Sequence, residues 1–201
     1  MHKIAVLILA AGSSSRMGQP KQLLEWGNGT LLDHSIQTVL TLKSEEVIVV
    51  LGANYDRIEK GIRHLPITVL NNREWGLGLG KSIACGANYI LKSTKKLDGI
   101  LITLADQPHI DNNFLRELMN SFVAGKKQIV ATAYEDGKQG VPVLFDVNYL
   151  EELSNLKDDN GAKSLLKAHQ NLVKTVLPPT KNIDLDTQED YQEQRRLKFK
   201  K

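Results

Sequence analysis

The residues best suited to chemistry lie in one segment near the start of the sequence, residues 9–24. Small residues lead into Gly12, and the two cations Arg16 and Lys21 follow shortly after it. Small residues let backbone N–H groups come close to an anion, whereas an arginine binds phosphate oxygens through several N–H groups and a lysine adds a point charge. The segment is therefore suited to binding a phosphorylated ligand.

The spacing in this segment differs from the two common glycine-rich phosphate motifs. Five residues separate Gly12 from Gly18, and Lys21 does not directly follow the second glycine, so the segment is not a Walker A motif. The dinucleotide pattern G-x-G-x-x-G is also missing after this first strand, which argues against a dinucleotide-dependent oxidoreductase. From the residues alone, an ordinary polar turn between a strand and a helix stays open as an alternative.

A second glycine-rich segment, residues 71–82, also joins a predicted strand to a predicted helix. It begins with Asn71, carries three glycines at alternate positions and ends in Ser82. Glycines at this spacing allow the backbone to approach a flat ligand closely. A flexible turn with Ser82 as the helix cap is the alternative. A P-loop is disfavoured because Trp75 stands where that motif needs glycine.

Asp106, two positions after the end of the apolar run 100–104, is the candidate metal ligand. Mg²⁺ binds carboxylate and phosphate oxygens and keeps several waters, so a single aspartate beside a triphosphate loop is suitable. From the residues alone, a turn or helix-capping aspartate is the alternative. His109 follows closely, but a lone histidine is more typical of a surface or cap position.

These segments need a scaffold that brings them together, and the hydrophobic pattern predicts one. The predicted strands, rich in β-branched residues, are 4–9, 46–51, 67–70, 99–104, 129–132, 142–145 and 173–176. The predicted amphipathic helices are 31–42, 54–64, 81–91, 111–123 and 161–169. Apolar strands alternating with helices predict a single-domain α/β fold with a doubly wound, mostly parallel sheet. Such sheets bind ligands at the carboxyl ends of their strands, where the loops 10–21, 71–82 and 105–109 would meet.

Composition limits the function classes. The chain has 201 residues with 41% hydrophobic and 24% charged residues, which is ordinary for one globular domain. A single cysteine, Cys85, can form neither an internal disulfide nor a cysteine-based zinc site, so we expect a cytoplasmic protein. The apolar run at residues 4–11 is too short for a signal peptide, and no run reaches the roughly 18 residues of a membrane span.

Much of the net charge of +3 comes from the basic tail, residues 192–201. We expect this tail to be solvated and frayed. A nucleic-acid surface would be basic across a whole face and would carry aromatic residues, but only 5% of the residues are aromatic. The sequence therefore predicts no binding to nucleic acid and none to membranes.

The first segment closely resembles the signature L-A-x-G-x-S-x-R-M-G-x-x-K-x-L of the MobA-like NTP transferases. This family includes the molybdenum cofactor guanylyl- and cytidylyltransferases. The resemblance implies the Rossmann-like fold of nucleotide-diphospho-sugar transferases. It also implies an NTP-binding half at about residues 1–125 and an acceptor-side half at about residues 126–191.

Roles for the first segment follow from this resemblance. In the family this loop surrounds the NTP, so Arg16 would bind phosphates and Lys21 would neutralise charge as pyrophosphate leaves. The residues that would hold the nucleotide through backbone groups are Leu9, Ala10, Ala11 and Gly12. The guanylyl branch usually reads L-A-G-G here and the cytidylyl branch L-A-A-G, as in this sequence. The methyl group of Ala11 would crowd the base pocket and favour a pyrimidine.

The second segment resembles the base- and ribose-binding loop of cytidylyltransferase-like members, which implies roles for Asn71, Gly78 and Ser82. The sequence around Asp106 resembles the family's [GA]-D-x-P element, whose aspartate holds the metal. Residues 184–191 resemble D-[IVL]-D-T-P-E-D-[YL], which makes Asp186 a second Mg²⁺ ligand. The proline of that pattern is Gln188 here, and we expect this change to loosen the start of the helix that follows.

Two further elements resemble parts of the acceptor side, G-x-P-V-x-F at residues 139–145 and D-x-G-A-[RK]-x-L-L at residues 159–166. An ordinary strand and a capped amphipathic helix are the alternatives. The resemblance implies transfer of CMP from CTP, or NMP from another NTP, to the terminal phosphate of molybdopterin. The implied partner is a molybdenum hydroxylase, such as one of the xanthine dehydrogenase type.

Two other functions stay open. One keeps the chemistry but uses a sugar phosphate or a polyol phosphate as acceptor. The other is a non-catalytic accessory protein that binds molybdenum cofactor, and its sign would be the loss of Lys21, Asp106 or Asp186. All three residues are present, which favours an enzyme.

Overall fold

The computed structural model describes residues 2–135, 137–157, 159, 161–180 and 183–199. The strands are β1 Ile4–Ala10, β2 Glu25–Trp26, β3 Gly29–Thr30, β4 Glu46–Leu51, β5 Thr68–Asn71, β6 Gly99–Leu104, β7 Ile129–Ala133, β8 Gln139–Asp146 and β9 Val173–Val176. The helices are α1 Leu31–Leu40, α2 Tyr55–Ile62, α3 Leu79–Leu91, α4 Asn112–Asn120, α5 Leu150–Ser154, α6 Lys163–Ala168 and α7 Gln188–Phe199.

Seven strands form one sheet in the order β5-β4-β1-β6-β8-β7-β9. Six of them run parallel, and β8 runs antiparallel to its neighbours β6 and β7. The predicted doubly wound, mostly parallel α/β sheet in a single domain is confirmed. Residues 126–191 supply β7, β8 and β9 to this same sheet.

Alternation along β1 explains why both faces of the sheet are covered. Ile4, Val6 and Ile8 belong to a core cluster that also contains buried residues of α1, α2 and α4. Leu7 and the other alternate residues belong to a second cluster with α3, α5 and α6. A Cβ on Gly86 of α3 would stand 2.3 Å from Leu7 Cδ1, so glycine lets this helix lie close to the sheet.

The predicted strands and helices are found with ends shifted by up to three residues, and Asp111 caps α4 by accepting a hydrogen bond from Phe114 N. The hairpin β2–β3 was not predicted, since two-residue strands carry no periodic pattern. Helix α5 was not predicted either. Asp136 lies outside the described residues, as do Lys200 and Lys201 of the basic tail.

The prediction of a frayed tail was wrong, because residues up to Phe199 continue α7. The helix is held on hairpin β2–β3, where the Phe199 ring lies 5.2 Å from the Trp26 ring and Arg195 forms a 2.6 Å ion pair with Glu25. The expected loosening at Gln188 was also wrong. Thr187 N and Oγ1 donate to the carboxylate of Asp190, and Asp190 N donates back to Thr187 Oγ1. This capping box fixes the start of α7 without the proline.

A third cluster of buried residues lies beneath α7, and it consists of Met17, Leu24, Trp26, Leu31, Leu185 and Tyr191. It joins the first loop to the segment that precedes α7. Within the part of the chain that the structure describes, no helix has the length and apolar character that a membrane crossing needs.

Candidate active site

A cleft of about 640 Å³ opens at the carboxyl ends of β1 and β6. Three predicted loops converge there, together with the segment before α7. The predicted site residues that line it are Leu9, Ala10, Ala11, Gly12, Arg16, Lys21, Gly78, Ser82, Asp106 and Asp186. The cleft therefore contains every predicted site residue except Asn71.

The first loop is held from behind by Gln22, whose side chain is 2% exposed. Its amide nitrogen donates to the carbonyl oxygens of Ala10 at 2.8 Å and Gly12 at 2.9 Å. Because these carbonyls are bound on the protein side, the loop backbone is fixed as it passes the cleft. Ser14 turns the chain at a φ of 56°, and its hydroxyl accepts from Lys21 N at 3.0 Å.

Lys21 and two aspartates form the ionic centre of the cleft. Lys21 Nζ donates to Asp106 Oδ2, to Asp186 Oδ1 at 3.1 Å and to the carbonyl oxygen of Leu185 at 3.2 Å. Burial alone would lower the pKa of Lys21, but the two carboxylates outweigh burial and raise the pKa above its ordinary value. Lys21 is therefore a fully charged ammonium group at neutral pH.

Asp106 retains binding capacity that Lys21 does not use. Its Oδ1 atom is buried and has no hydrogen-bond partner among the described residues. An unpaired buried carboxylate oxygen is costly, and a cation would satisfy it. Asp186, with a side chain 55% exposed, offers a second carboxylate next to it. The pair fits Mg²⁺ bound with phosphate oxygens and waters, although the described residues contain no group of three or more such ligands.

The chain before α7 is tied to the Asp106 loop. Leu185 is fully buried, and its N–H donates to the carbonyl oxygen of Asp106 at 3.0 Å. Asp184 Oδ1 accepts from Gln107 Nε2 at 2.8 Å. Desolvation and the nearby Asp106 carboxylate raise the pKa of Asp184, because each disfavours its charged form. These bonds bring Asp106 and Asp186, 80 positions apart in the sequence, into one site.

The second loop reaches the cleft through Gly78 and Ser82. Gly78 has a φ of 104°, and a Cβ there would stand 2.7 Å from Cα of Asp159. Asp159 in turn accepts a 3.3 Å hydrogen bond from Leu79 N at the start of α3. Ser82 lies inside that helix, so its alternative role as the helix cap is wrong.

The prediction for Asn71 is not supported. Asn71 is exposed at the end of β5 and lines a neighbouring cavity of about 390 Å³. Its neighbour Asn72 is 4% exposed and donates through Nδ2 to Ser82 Oγ at 3.1 Å. Asn72 lines the same neighbouring cavity as Asn71, and it acts on the cleft only through this bond to Ser82. The residue that supports Ser82 is Asn72.

Arg16 lies in a short 3-10 turn, Ser15–Met17, at the mouth of the cleft. Its side chain is exposed and has no hydrogen-bond or ion-pair partner in the described part of the chain, which leaves it available to an anion. The segment 139–145, which resembles an acceptor-side element of the family, lies in β8. The second such segment, 159–166, includes Asn160, which lies outside the described residues.

Sequence reasoning missed residues that support the site, such as Gln22, Gln107 and Asn72. Each is a buried polar side chain next to a predicted site residue. Their amide types are common on surfaces, so nothing in the sequence indicates that they are buried. Trp75 also lines the cleft. In the sequence it indicated only that the segment is not a P-loop.

Comparison with known proteins agrees with this geometry. The profile of the MobA-like NTP transferase domain matches residues 6–173. Purine catabolism protein PucB of Bacillus subtilis is 30% identical over 203 residues, covering 94% of this chain and 95% of that protein. Nicotine blue oxidoreductase of Paenarthrobacter nicotinovorans is 28% identical over 176 residues, covering 85% of this chain and 84% of that protein.

Solved structures share the fold. The crystal structure of Rv0371c from Mycobacterium tuberculosis H37Rv superposes with a TM-score of 0.83 at 25% identity and covers 97% of this chain and 98% of that one. A manganese complex of Rv0371c gives a TM-score of 0.77 at 24% identity, covering 95% of this chain and 97% of that one. The expected family and its Rossmann-like fold are therefore confirmed.

Proposed function

The chain belongs to the MobA-like NTP transferase family and is a nucleotidyltransferase, and from this premise we propose that it transfers CMP from CTP to the terminal phosphate of molybdopterin. Pyrophosphate is the second product. The observation that carries the proposal is the cluster of Lys21, Asp106 and Asp186, with one buried carboxylate oxygen of Asp106 left unpaired. This arrangement suits a phosphorylated ligand and a divalent cation together.

In this proposal the backbone N–H groups around Gly12 bind the nucleotide, and Arg16 binds its phosphates from the mouth of the cleft. Asp106 and Asp186 hold Mg²⁺, which when bound supplies positive charge to the phosphates. The manganese complex of Rv0371c supports a divalent cation in this fold. We propose Mg²⁺ for this chain, and the carboxylate oxygens that would bind it also suit Mn²⁺.

Lys21 has two alternative sets of anionic partners. In the structure it neutralises Asp106 and Asp186. A bound triphosphate would offer Nζ further anionic oxygens, and Asp106 and Asp186 would then be the residues that hold a divalent cation. Lys21 then neutralises the charge that grows on pyrophosphate as it leaves. Because Lys21 is charged throughout, it acts by electrostatic stabilisation.

The transfer itself needs little acid–base chemistry. An oxygen of the acceptor phosphate attacks the α-phosphorus of CTP, and the bond from that phosphorus to the pyrophosphate oxygen breaks. A phosphate is already anionic at neutral pH, so no side chain has to remove a proton. Catalysis then rests on alignment of the two phosphates and on neutralisation of charge by Arg16 and Lys21.

The preference for CTP rests on Ala11. This residue is 6% exposed and lines the cleft, and its carbonyl oxygen accepts from Ala53 N at 3.0 Å. The bond prevents the backbone from moving away from a larger base. A methyl group fixed in this position leaves less room for a purine than glycine would leave.

We propose that residues 126–191 bind the acceptor. A molybdenum hydroxylase of the xanthine dehydrogenase type is the proposed recipient of the product. Xanthine is a purine, so this partner agrees with the name of the Bacillus subtilis relative.

The test of base choice compares kcat/KM for CTP and GTP, with molybdopterin as acceptor and pyrophosphate as readout. Wild type is expected to prefer CTP, and Ala11→Gly is expected to reduce this preference, because a steric clash with the wrong base is relieved. Ala53→Gly is a matched control, because it keeps the hydrogen bond to Ala11. A wild-type preference for GTP would contradict the cytidylyl assignment and leave the nucleotidyltransferase assignment standing.

A further inference from the structure

Trp75 is a large aromatic side chain at the edge of the cleft. It lines the cleft together with Ala11 and Gly12 and is 37% exposed. The other tryptophan of the chain, Trp26, is 2% exposed in the third buried cluster. An exposed indole in a ligand cleft is available for contact with a flat ligand.

The position of Trp75 is fixed by its surroundings. A Cβ on Gly52 would stand 2.5 Å from Trp75 Cβ and 2.7 Å from the carbonyl oxygen of Ala11. The missing side chain at Gly52 therefore lets Trp75 pack beside the residue that limits the base pocket. The turn is closed by bonds from Leu77 N to Glu74 O at 2.9 Å and from Gly78 N to Trp75 O at 3.2 Å.

The cleft thus combines two kinds of surface. Lys21, Asp106 and Arg16 supply charge, and Trp75 supplies an aromatic surface beside Ala11. A nucleoside triphosphate has the same two parts, an anionic chain and a flat base. Indole rings stack on nucleobases with little dependence on base identity, since every base has a π-face.

We propose that Trp75 stacks on the base of the bound nucleotide, an assignment that rests on the proposed function of the cleft as an NTP site. Trp75 supplies affinity for the base, and Ala11 limits the size of the base. Trp75 is in this view a binding residue for the nucleoside, with no part in holding the triphosphate.

Intrinsic fluorescence gives a direct test, because the chain has only two tryptophans. We expect CTP with Mg²⁺ to quench the emission of wild type, and to leave the emission of Trp75→Phe, which retains only Trp26, unchanged. Quenching that persists in Trp75→Phe would overturn the assignment.

Binding measured by calorimetry gives a second test with a built-in control. Trp75→Leu should weaken CTP roughly tenfold or more, and Trp75→Phe should weaken it less, because phenylalanine keeps a π-face. Affinity for inorganic tripolyphosphate, which has no base, should not change in either variant. Leu77→Ala is the matched control, since Leu77 is 57% exposed in the same turn and does not line the cleft.

The outcomes separate this inference from the proposed function. If wild type binds CTP but Trp75→Leu binds it equally well, or loses tripolyphosphate to the same extent, stacking on Trp75 is overturned and the NTP site stands. If wild type binds no nucleotide, the proposed function fails, and the assignment of Trp75 fails with it.

Discussion

At the scale of single residues, the cleft places opposite charges in direct contact. Lys21 is bound by Asp106, Asp186 and the carbonyl oxygen of Leu185, while Asp106 keeps one buried oxygen unpaired. In the proposed mechanism this oxygen binds a cation. Replacing the Asp106 carboxylate should therefore lower the rate of transfer far more than the stability of the fold.

Asp106→Asn should therefore lower kcat by about two orders of magnitude or more, as expected when a fixed charge partner of the transition state is removed. The amide keeps an oxygen for Lys21, so the unfolding midpoint should change little. Pyrophosphate release under saturating CTP and Mg²⁺ measures the first effect, and thermal unfolding measures the second.

Asp184→Asn provides the control for this substitution. Asp184 lies close by and binds Gln107, but it does not line the cleft. We expect its loss to change kcat by less than about tenfold, since it touches neither nucleotide nor cation in this proposal. Near wild-type turnover in Asp106→Asn, or an equal loss in both variants, would contradict the role of Asp106 as a metal ligand.

At the scale of secondary-structure elements, Glu46 joins β4 to β5, to α3 and to the segment that follows α3. From the start of β4 its carboxylate accepts from Thr68 Oγ1 of β5 and Tyr89 Oη of α3, each at 2.8 Å, and from Lys95 Nζ at 3.0 Å. Burial alone would raise the pKa of Glu46, but these donors outweigh burial and lower it. The charged form is thus stabilised in the folded protein.

A group whose pKa is lower in the folded state contributes stability above its unfolded pKa and loses that contribution as the pH falls through its folded pKa. Glu46→Gln should therefore cost about 1–2 kcal/mol of unfolding free energy near pH 7. The difference from wild type should shrink as the pH falls below about 4.5. Urea unfolding across this pH range measures both.

Glu45→Gln is the matched control, because Glu45 is exposed and its carboxylate bonds to no other residue in the described part of the chain. Its effect should be small at every pH. A difference between Glu46→Gln and wild type that stays constant from pH 7 to acid would contradict the role assigned to the Glu46 charge.

The length and polarity of each element decide whether the sequence could predict it. Strands such as Ile4–Ala10 are long and almost entirely apolar, so their type and approximate ends follow from the pattern. The hairpin β2–β3 depends on tertiary contacts with α7, in which Tyr191 Oη donates to the carbonyl oxygen of Glu25 and the Phe199 ring lies beside Trp26. The local sequence does not reveal these contacts. Helix α7 is polar overall, so its hydrophobic pattern is weak.

For the site, the order of residues in the first loop carried most of the information, and its residues line the cleft as expected. Asn71 lies outside the cleft, since spacing alone does not show which of two adjacent asparagines contacts Ser82. The support from Gln22 could not be inferred, since a glutamine is buried only when carbonyl groups such as that of Ala10 surround it.

At the scale of the whole molecule, the fold unites segments from both ends of the sequence. Lys21 comes from the first loop, Asp106 from the end of β6 and Asp186 from the chain that precedes α7. The buried cluster around Leu185 and Trp26 holds the last of these segments against the first. The candidate site therefore depends on the complete sheet and on the docking of α7.

The division into an NTP-binding half and an acceptor-side half remains a proposal. All the charged residues placed in the cleft for NTP binding come from the first half, except Asp186. The strands of the second half complete the same sheet, so the acceptor would be bound by a part of the protein that is rigidly joined to the nucleotide site.

The proposed function requires that this molecule join the nucleotide of CTP to a phosphorylated acceptor. The most direct measurement incubates wild-type protein with CTP, Mg²⁺ and molybdopterin, quantifies pyrophosphate, and weighs the acceptor by mass spectrometry. We predict one pyrophosphate released for each molybdopterin that gains one CMP, with neither product formed when Mg²⁺ is removed by a chelator. Pyrophosphate without a CMP adduct on molybdopterin, or no pyrophosphate released from CTP, would contradict the proposed transfer.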